Sequence, residues 1–221
     1  MSENSIDIRA LSKAQAGVAA GLLGRGMRDN PTHIQAFGTD PARRERILKL
    51  MFTPFLGQQM RTGLVLGAFI SPDTIAPDSA TATRLVGVAG LSAPGHCQPG
   101  VSSKMLALPA FFHAAGLKAA LRMRKWVRIW ALHDAATPAH WHLGPLAVDP
   151  QHQGQGIGSA LLQRLCDHLD QQQTLGYLET DKPENVTFYQ RFGFNTVATE
   201  AVIGTRHWFM ARQANPEHEP G

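Results

Sequence analysis

Residues 144–162 read GPLAVDPQHQGQGIGSALL. Leu146, Ala147 and Val148 form a short apolar run, and Asp149-Pro150 breaks it, because proline fixes its own φ and turns the preceding residue away from helix. Gly154, Gly156 and Gly158 then alternate with Gln155 and Ile157. From Ile157 the apolar residues recur at helical spacing, through Leu161, Leu162, Leu165 and Leu169. The stretch therefore reads as strand, glycine-rich turn and helix. Such a turn aims free backbone N–H groups and the positive end of the helix dipole at an anion, most naturally a phosphate.

The pattern is selective about the phosphate. A dinucleotide fingerprint GxGxxG counted from Gly154 and Gly156 would need glycine where Ser159 stands, and a Walker A loop would need a lysine that is absent. Gln/Arg-x-x-Gly-x-Gly/Ala is met by Gln153, Gly156 and Gly158. After a strand Leu-Ala-Val-Asp-Pro this resembles motif A of the GNAT superfamily of acyl-CoA-dependent N-acyltransferases. The resemblance implies that Gln153, Gly154, Gln155, Gly156, Ile157, Gly158 and Ser159 hold the coenzyme A pyrophosphate. The alternative is a strand–helix turn without a ligand.

The chain has 221 residues, enough for one elaborated core, and is expected to form a single domain over 1–213 with a disordered tail over 214–221. No apolar run approaches the ~20 residues of a membrane span, and the N-terminus lacks a basic segment followed by an apolar one. The expectation is a cytoplasmic protein without membrane attachment. Cys97 and Cys166 sit in no CxxC or Cys/His spacing, so neither a disulfide nor a metal is expected. The formal net charge of +4 is concentrated in Arg43-Arg44-Glu45-Arg46 and in Lys118 to Arg128. That suits an anionic ligand such as CoA, and falls short of the aromatic-interleaved basic surface expected of a nucleic-acid binder.

Ile6 to Leu11 alternates as a first strand, and Ser12 caps a helix over about 13–23, with Gly24, Gly26 and Asn30-Pro31 read as its end. Asp40 and Pro41 open a second helix to Gln59, kinked or divided at Pro54. Phe37, Phe52 and Phe55 fit either core or an acceptor-pocket wall. Residues 62–70 and 84–91 read as an antiparallel hairpin around a polar loop over 71–82. Met105 to Leu132 reads as helix split by Gly116, within a helical insertion over about 96–139 that either covers the acceptor site or merely packs. Its basic face of Lys118, Arg122, Arg124, Lys125 and Arg128 is the kind that is usually solvated.

His140 to Val148 is the central strand. Pro145 cannot donate to a ladder, so normal pairing on both sides is not expected there. In the GNAT family the sheet splays beside this strand, and the resemblance implies that backbone groups of Leu146, Ala147 and Val148 bind the pantetheine arm as an added strand would. Leu175 to Thr180 is the strand across the splay. The string Asn185-Val-Thr-Phe-Tyr189-Gln-Arg-Phe-Gly193-Phe194 resembles the family's motif B, with Asn185 and Tyr189 on one helix face. Residues 196–202 and 207–212 close the domain as an antiparallel pair. The C-terminal run looks nearest to puromycin-acetyltransferase-like small-molecule enzymes.

The implied fold is thus α/β (α+β mixed): a central mixed, mostly antiparallel sheet, splayed at the acyl-CoA site and flanked by helices. The implied reaction is direct acetyl transfer from acetyl-CoA to a primary amine of a small molecule in a ternary complex. The alternatives are a protein or peptide acetyltransferase and a non-catalytic acyl-CoA sensor. The resemblance implies Tyr189 near the leaving sulfur, either as general acid or as a ring packed beside CoA without proton transfer. His142, where many members carry glutamate, is either an imidazole base of pKa near 6.5 or a strand histidine bonded to a neighbour, with Glu179 as an outside candidate for the base. Strand alternation would put His142 on the face of Gly144, Leu146 and Val148. A homodimer is left open.

Overall fold

The computed structural model describes residues 6–71, 83–97 and 101–215, with the backbone alone for 101–112. Its elements are β1 (Asp7–Ala10), α1 (Ala16–Met27), α2 (Pro31–Phe37), α3 (Pro41–Thr62), β2 (Gly63–Ile70), β3 (Arg84–Ser92), α4 (Val101–Ala136), β4 (His140–Val148), α5 (Ile157–Gln171), β5 (Leu175–Thr180), α6 (Pro183–Gln190), β6 (Asn195–Val202) and β7 (Thr205–Arg212). The strands form one sheet in the order β1-β2-β3-β4-β5-β7-β6. Every neighbouring pair is antiparallel except β4 and β5. The expected mixed, mostly antiparallel sheet flanked by helices is what the chain forms. The polar loop over 72–82 and the tail beyond Asn215 lie outside the described residues.

Two faces of the sheet are covered. On one, Leu161, Leu162, Leu165 and Leu169 of α5 are fully buried against Val86, Leu91, Leu143 and Leu178. On the other, α1 and α3 pack over Val65, Val88 and Ala147, while α2 and α4 bring Phe37, Ala115 and Trp126 to Tyr177 and Phe209. Burying a Leu-sized side chain stabilises by about 1.5–3 kcal/mol, so the four α5 leucines anchor the glycine-rich turn firmly to the sheet.

The first helix runs through the glycines expected to stop it. A Cβ on Gly24 would stand 3.0 Å from the Glu45 carbonyl oxygen, and one on Gly26 would stand 2.9 Å from the Ala147 Cβ. These glycines are contact points at which α1 lies directly on α3 and β4. Gly26→Ala is expected to cost about 1–3 kcal/mol by forcing α1 off β4, read as a drop in the urea midpoint. Helix α2 was not expected at all. Asn30-Pro31, read as a stop, starts a new helix with proline at its first position. Asp40 caps α3 as expected, accepting from the N–H groups of Ala42 and Arg43, and the helix continues through Pro54 without dividing. Helix α4 is broken at Gly116, as expected. At the C-terminal end, the Asn215 N–H donates to Asp170, which also holds Arg212 through both carboxylate oxygens.

Candidate active site

Strand β4 organises the site because its two edges differ. Toward β3 it is paired along most of its length, with a register shift opposite Ala89 to Leu91. Toward β5 only His140, Trp141 and His142 are paired, with Leu175, Gly176 and Tyr177. Beyond that rung β5 continues against β7 alone, so the edge of β4 from Leu143 to Val148 faces a gap. The Asp149 N–H bonds the Val86 carbonyl at 2.8 Å, which fixes the phase of the antiparallel ladder. By that phase Ala147 is bonded to Val88, and the backbone groups of Leu146 and Val148 turn toward the gap. Of the three residues expected to bind through their backbone, Ala147 is therefore committed to β3. Its methyl group packs against Gly26.

The glycine-rich turn lies at the far end of this gap. Asp149 accepts from the Gln151 N–H and pairs with Arg25 at 3.0 Å. Gln153 donates to the Val148 carbonyl at 3.2 Å, and Gly156 caps α5 in the left-handed region at φ 79°. No side chain caps the helix, so the first amides of α5, at Ile157, Gly158 and Ser159, have no intrahelical partner. Gln153, Gly154, Gln155 and Gly156 are exposed while Ile157 is buried. The turn is an open cradle of amides on a rigid support.

Asp149 is buried and Arg25 partly exposed. Burial opposes the Asp149 charge, but Arg25 and the Gln151 N–H outweigh it and hold the carboxyl below its ordinary value. A depressed carboxyl contributes stability above its unfolded value of about 4 and loses it as pH falls through the folded one. Asp149→Asn is thus expected to cost about 1 kcal/mol at pH 7, a figure kept low by the exposure of Arg25. The gap in Tm between variant and wild type should begin to close as pH falls to about 4 and vanish once pH drops below the depressed folded value.

Tyr189 and Asn185 lie on α6, the helix that follows β5. Tyr189 is buried, packed by Phe188 and Phe194, and its hydroxyl has no hydrogen-bond partner among the described residues. Burial first, then the charges of Glu179 and Asp181, push its phenol above the ordinary range. Asn185 donates to the Thr180 hydroxyl at 3.2 Å, tying the helix to the end of β5.

His142 departs from the expected strand face. Leu143, Leu146 and Val148 all join the core cluster under α5, and a spacing of three residues breaks strict alternation. The irregular register on either side of Pro145 is the cause. His142 therefore lies on the opposite face, against Tyr177 and Glu179. Nor is it an ordinary imidazole. Its Nε2 stands 3.0 Å from one Glu179 oxygen and 3.3 Å from the other. Burial alone would lower its pKa, but Glu179 and the Cys97 thiol outweigh that and push it up to about 10. Glu179 thus bonds the ring at Nε2, the neighbour-bonded alternative for this histidine, and favours its protonated form.

Two groups at this end were not singled out from the sequence. Asp181 accepts from the Thr32 N–H at 2.7 Å, and the Thr32 hydroxyl bonds His207 Nε2 at 2.6 Å and the Thr205 hydroxyl at 2.8 Å. This network ties α2 to the ends of β5 and β7. The Asp-Lys-Pro turn after β5 was the available signal, but its partner is a helix the sequence reading missed. The basic side chains Lys118, Arg124, Lys125 and Arg128 are exposed, and Arg122 donates to the Gln35 carbonyl.

A family model described as the acetyltransferase (GNAT) family matches residues 118–194, from the second half of α4 through α6. That stretch is of GNAT type. Solved structures with this fold include a histone acetyltransferase HPA2 and related acetyltransferase from Corynebacterium glutamicum. It is 18% identical with a TM-score of 0.65, the match covering 97% of this chain and 99% of that one. A Drosophila melanogaster polyamine N-acetyltransferase is 15% identical with a TM-score of 0.58, covering 95% and 100%. A PaiA N-acetyltransferase from Thermoplasma acidophilum, solved with coenzyme A, is 15% identical with a TM-score of 0.56, covering 95% and 99%. At these identities the likeness is one of fold, and the GNAT fold is what the splayed β4–β5 pair and the turn before α5 build here. No helix among the described residues is long and apolar enough to cross a membrane.

Proposed function

We propose that this protein transfers an acetyl group from acetyl-CoA directly to a primary amine of a small molecule, within a ternary complex. The observation that carries the reading is the free edge of β4 from Leu143 to Val148, with an uncapped helix N-terminus beyond its end. Backbone groups of Leu146 and Val148 would bind the amide-bearing arm of the cofactor as a partial strand. The amides of Ile157, Gly158 and Ser159, with Gln153, Gly154, Gln155 and Gly156 around them, would hold its pyrophosphate. Asn185 positions α6 and with it Tyr189.

In this reading the amine nitrogen attacks the thioester carbonyl, a C–N bond forms and the C–S bond breaks. The Leu146 N–H would polarise the carbonyl oxygen. An acceptor that arrives as an ammonium would first give one proton to Glu179 and attack as the neutral amine; Tyr189 would donate its proton to the departing sulfur and regain one from the nitrogen as the amide forms. His142 contributes by holding that carboxylate from Nε2. The pair of carboxylates at Glu179 and Asp181 favours an acceptor that arrives as an ammonium. A Drosophila polyamine N-acetyltransferase that forms N-acetylagmatine has this fold, which is consistent with such an acceptor.

The test is a calorimetric titration with acetyl-CoA, propionyl-CoA and NADH, followed by a thiol-release screen of small diamines against lysine-bearing peptides. Micromolar acetyl-CoA binding, none for NADH, and turnover with amines are expected. Turnover confined to peptides would shift the reading to a protein acetyltransferase. Binding without turnover on any amine would make the protein a sensor. No CoA binding would remove the ligand role of the turn.

A further inference from the structure

We propose that Cys97, Asp134, His140 and His142 form a binding site for a thiophilic divalent cation, with Zn²⁺ the best fit. Each side chain offers one ligand atom, and the four atoms lie within 4.8 Å of one another. Cys97 Sγ stands 3.8 Å from His140 Nε2, Asp134 Oδ1 stands 2.9 Å from the same nitrogen, and His142 Nδ1 stands 4.0 Å from Asp134 Oδ1. Around a tetrahedral zinc, with Zn–N of about 2.0–2.1 Å and Zn–S of about 2.3 Å, donor atoms sit ~3.3–3.7 Å apart. The cluster is a slightly irregular version of that arrangement.

The outward nitrogens of both rings are tethered as metal-binding histidines usually are. His140 Nδ1 bonds the Pro138 carbonyl at 2.8 Å, which leaves Nε2 facing the cluster. His142 Nε2 bonds Glu179, which leaves Nδ1 facing it, and that nitrogen is buried without a hydrogen-bond partner. A buried ring nitrogen without a partner, aimed at a thiol and a carboxylate, is costly unless something occupies the space between them, and a cation would take the place of any proton there.

At His140 the geometry also separates this reading from a Cys–His–Asp relay. A relay needs the thiol on one ring nitrogen and the carboxylate on the other. Here Cys97 and Asp134 approach the same nitrogen of His140, and Pro138 holds the other. Atoms that converge on one point suit a cation. Sulfur and imidazole donors select zinc over magnesium or calcium, and four protein ligands leave no open position for hydrolytic chemistry. The ion would tie the segment after β3 and the end of α4 to β4. The inference does not rest on the proposed transferase activity.

The test uses the full chain, stripped with a chelator and titrated with Co²⁺ and then Zn²⁺. One equivalent of Co²⁺ is expected to give the intense visible bands of a tetrahedral ion and a near-ultraviolet thiolate charge-transfer band. One equivalent of Zn²⁺ should bleach both and raise the Tm. Cys97→Ser should abolish the charge-transfer band and the Tm response, while Asp134→Asn should keep the band and weaken binding at least ~10-fold, with an unchanged circular dichroism spectrum in each. Glu179→Gln should weaken metal binding ~10- to 100-fold through His142. The proposal is overturned if the wild type binds no stoichiometric Co²⁺, or shows only a weak octahedral spectrum that Cys97→Ser leaves unchanged. None of these readouts is acetyl transfer, so failure here and failure of the proposed activity are distinguishable.

Discussion

Tyr189→Phe is expected to lower kcat ~10- to 1000-fold while leaving the affinity for acetyl-CoA unchanged. The substitution removes one oxygen and keeps the ring in contact with Phe188 and Phe194, whose centroids lie 5.3 and 6.0 Å away. The fold should therefore survive. The hydroxyl has no partner among the described residues, so its proton is free for a group that arrives with the substrate. Burial and the charges of Glu179 and Asp181 raise the phenol's pKa, which keeps the proton in place at neutral pH. The same shift makes the proton harder to release than from an ordinary tyrosine. Tyr189 should thus act by donating a hydrogen bond that strengthens as charge develops on the sulfur, with full transfer following bond cleavage. Such an interaction is made only as the thioester breaks, so kcat should fall and acetyl-CoA binding should not. Steady-state thiol release and calorimetry on the same preparation separate the two. A kcat within twofold of wild type would remove the acid role.

How far the sequence carried this reading depended on how local each feature is. The turn before α5 was legible because Gln153, Gly156 and Gly158 lie within six residues of one another, between a strand and a helix that each announce themselves. The helix carrying Asn185 and Tyr189 was legible for the same reason. The gap beside β4 was foreseeable from Pro145, since a strand that cannot donate at its middle is poorly suited to a partner on both sides. The face of His142 was not foreseeable. It depends on a register shift against β3 that the alternation of β4 alone does not show.

Features built from distant residues were missed for one physical reason: a side chain's protonation and role are set by what it touches. His142 reads as a neutral imidazole until Glu179 is placed 3.0 Å away. Cys97 reads as isolated until folding brings it to His140 from 43 positions away along the chain. Gly24 and Gly26 read as helix breakers because their actual task, letting α1 touch Glu45 and Ala147, exists only in the packed molecule. In each case the local propensity was real, and a tertiary contact outweighed it.

Arg44→Leu is expected to be the most damaging single change among the charged residues, costing about 3–5 kcal/mol. The sequence suggests a surface cation ready for an anionic ligand, but the side chain is only 5% exposed. Its Nε donates to the Arg28 carbonyl at 2.6 Å, Nη1 to the Gly38 carbonyl at 2.9 Å, and Nη2 to Asp29 at 2.7 Å. Arg28 and Gly38 flank α2, so one guanidinium on α3 pins both ends of that helix. Leucine would leave two carbonyls without these donors, and each orphaned group costs about 1–3 kcal/mol where water cannot reach it. The Asp29 contact should add little, because Asp29 is mostly exposed and solvent screens it. Most of the loss should therefore persist in high salt, whereas a loss dominated by the ion pair would shrink there. Arg44→Lys keeps the charge but lacks the planar fork that reaches three acceptors, and should recover less than half of the stability. Because α2 carries Thr32 to Asp181, the acceptor end of the site should loosen as well, and KM for the amine should rise before affinity for acetyl-CoA changes. Urea denaturation of both variants, with and without added salt, measures the first effect. An Arg44→Leu variant within 1 kcal/mol of wild type would show that α2 is held by its packing against Trp126 and Phe209 rather than by the guanidinium.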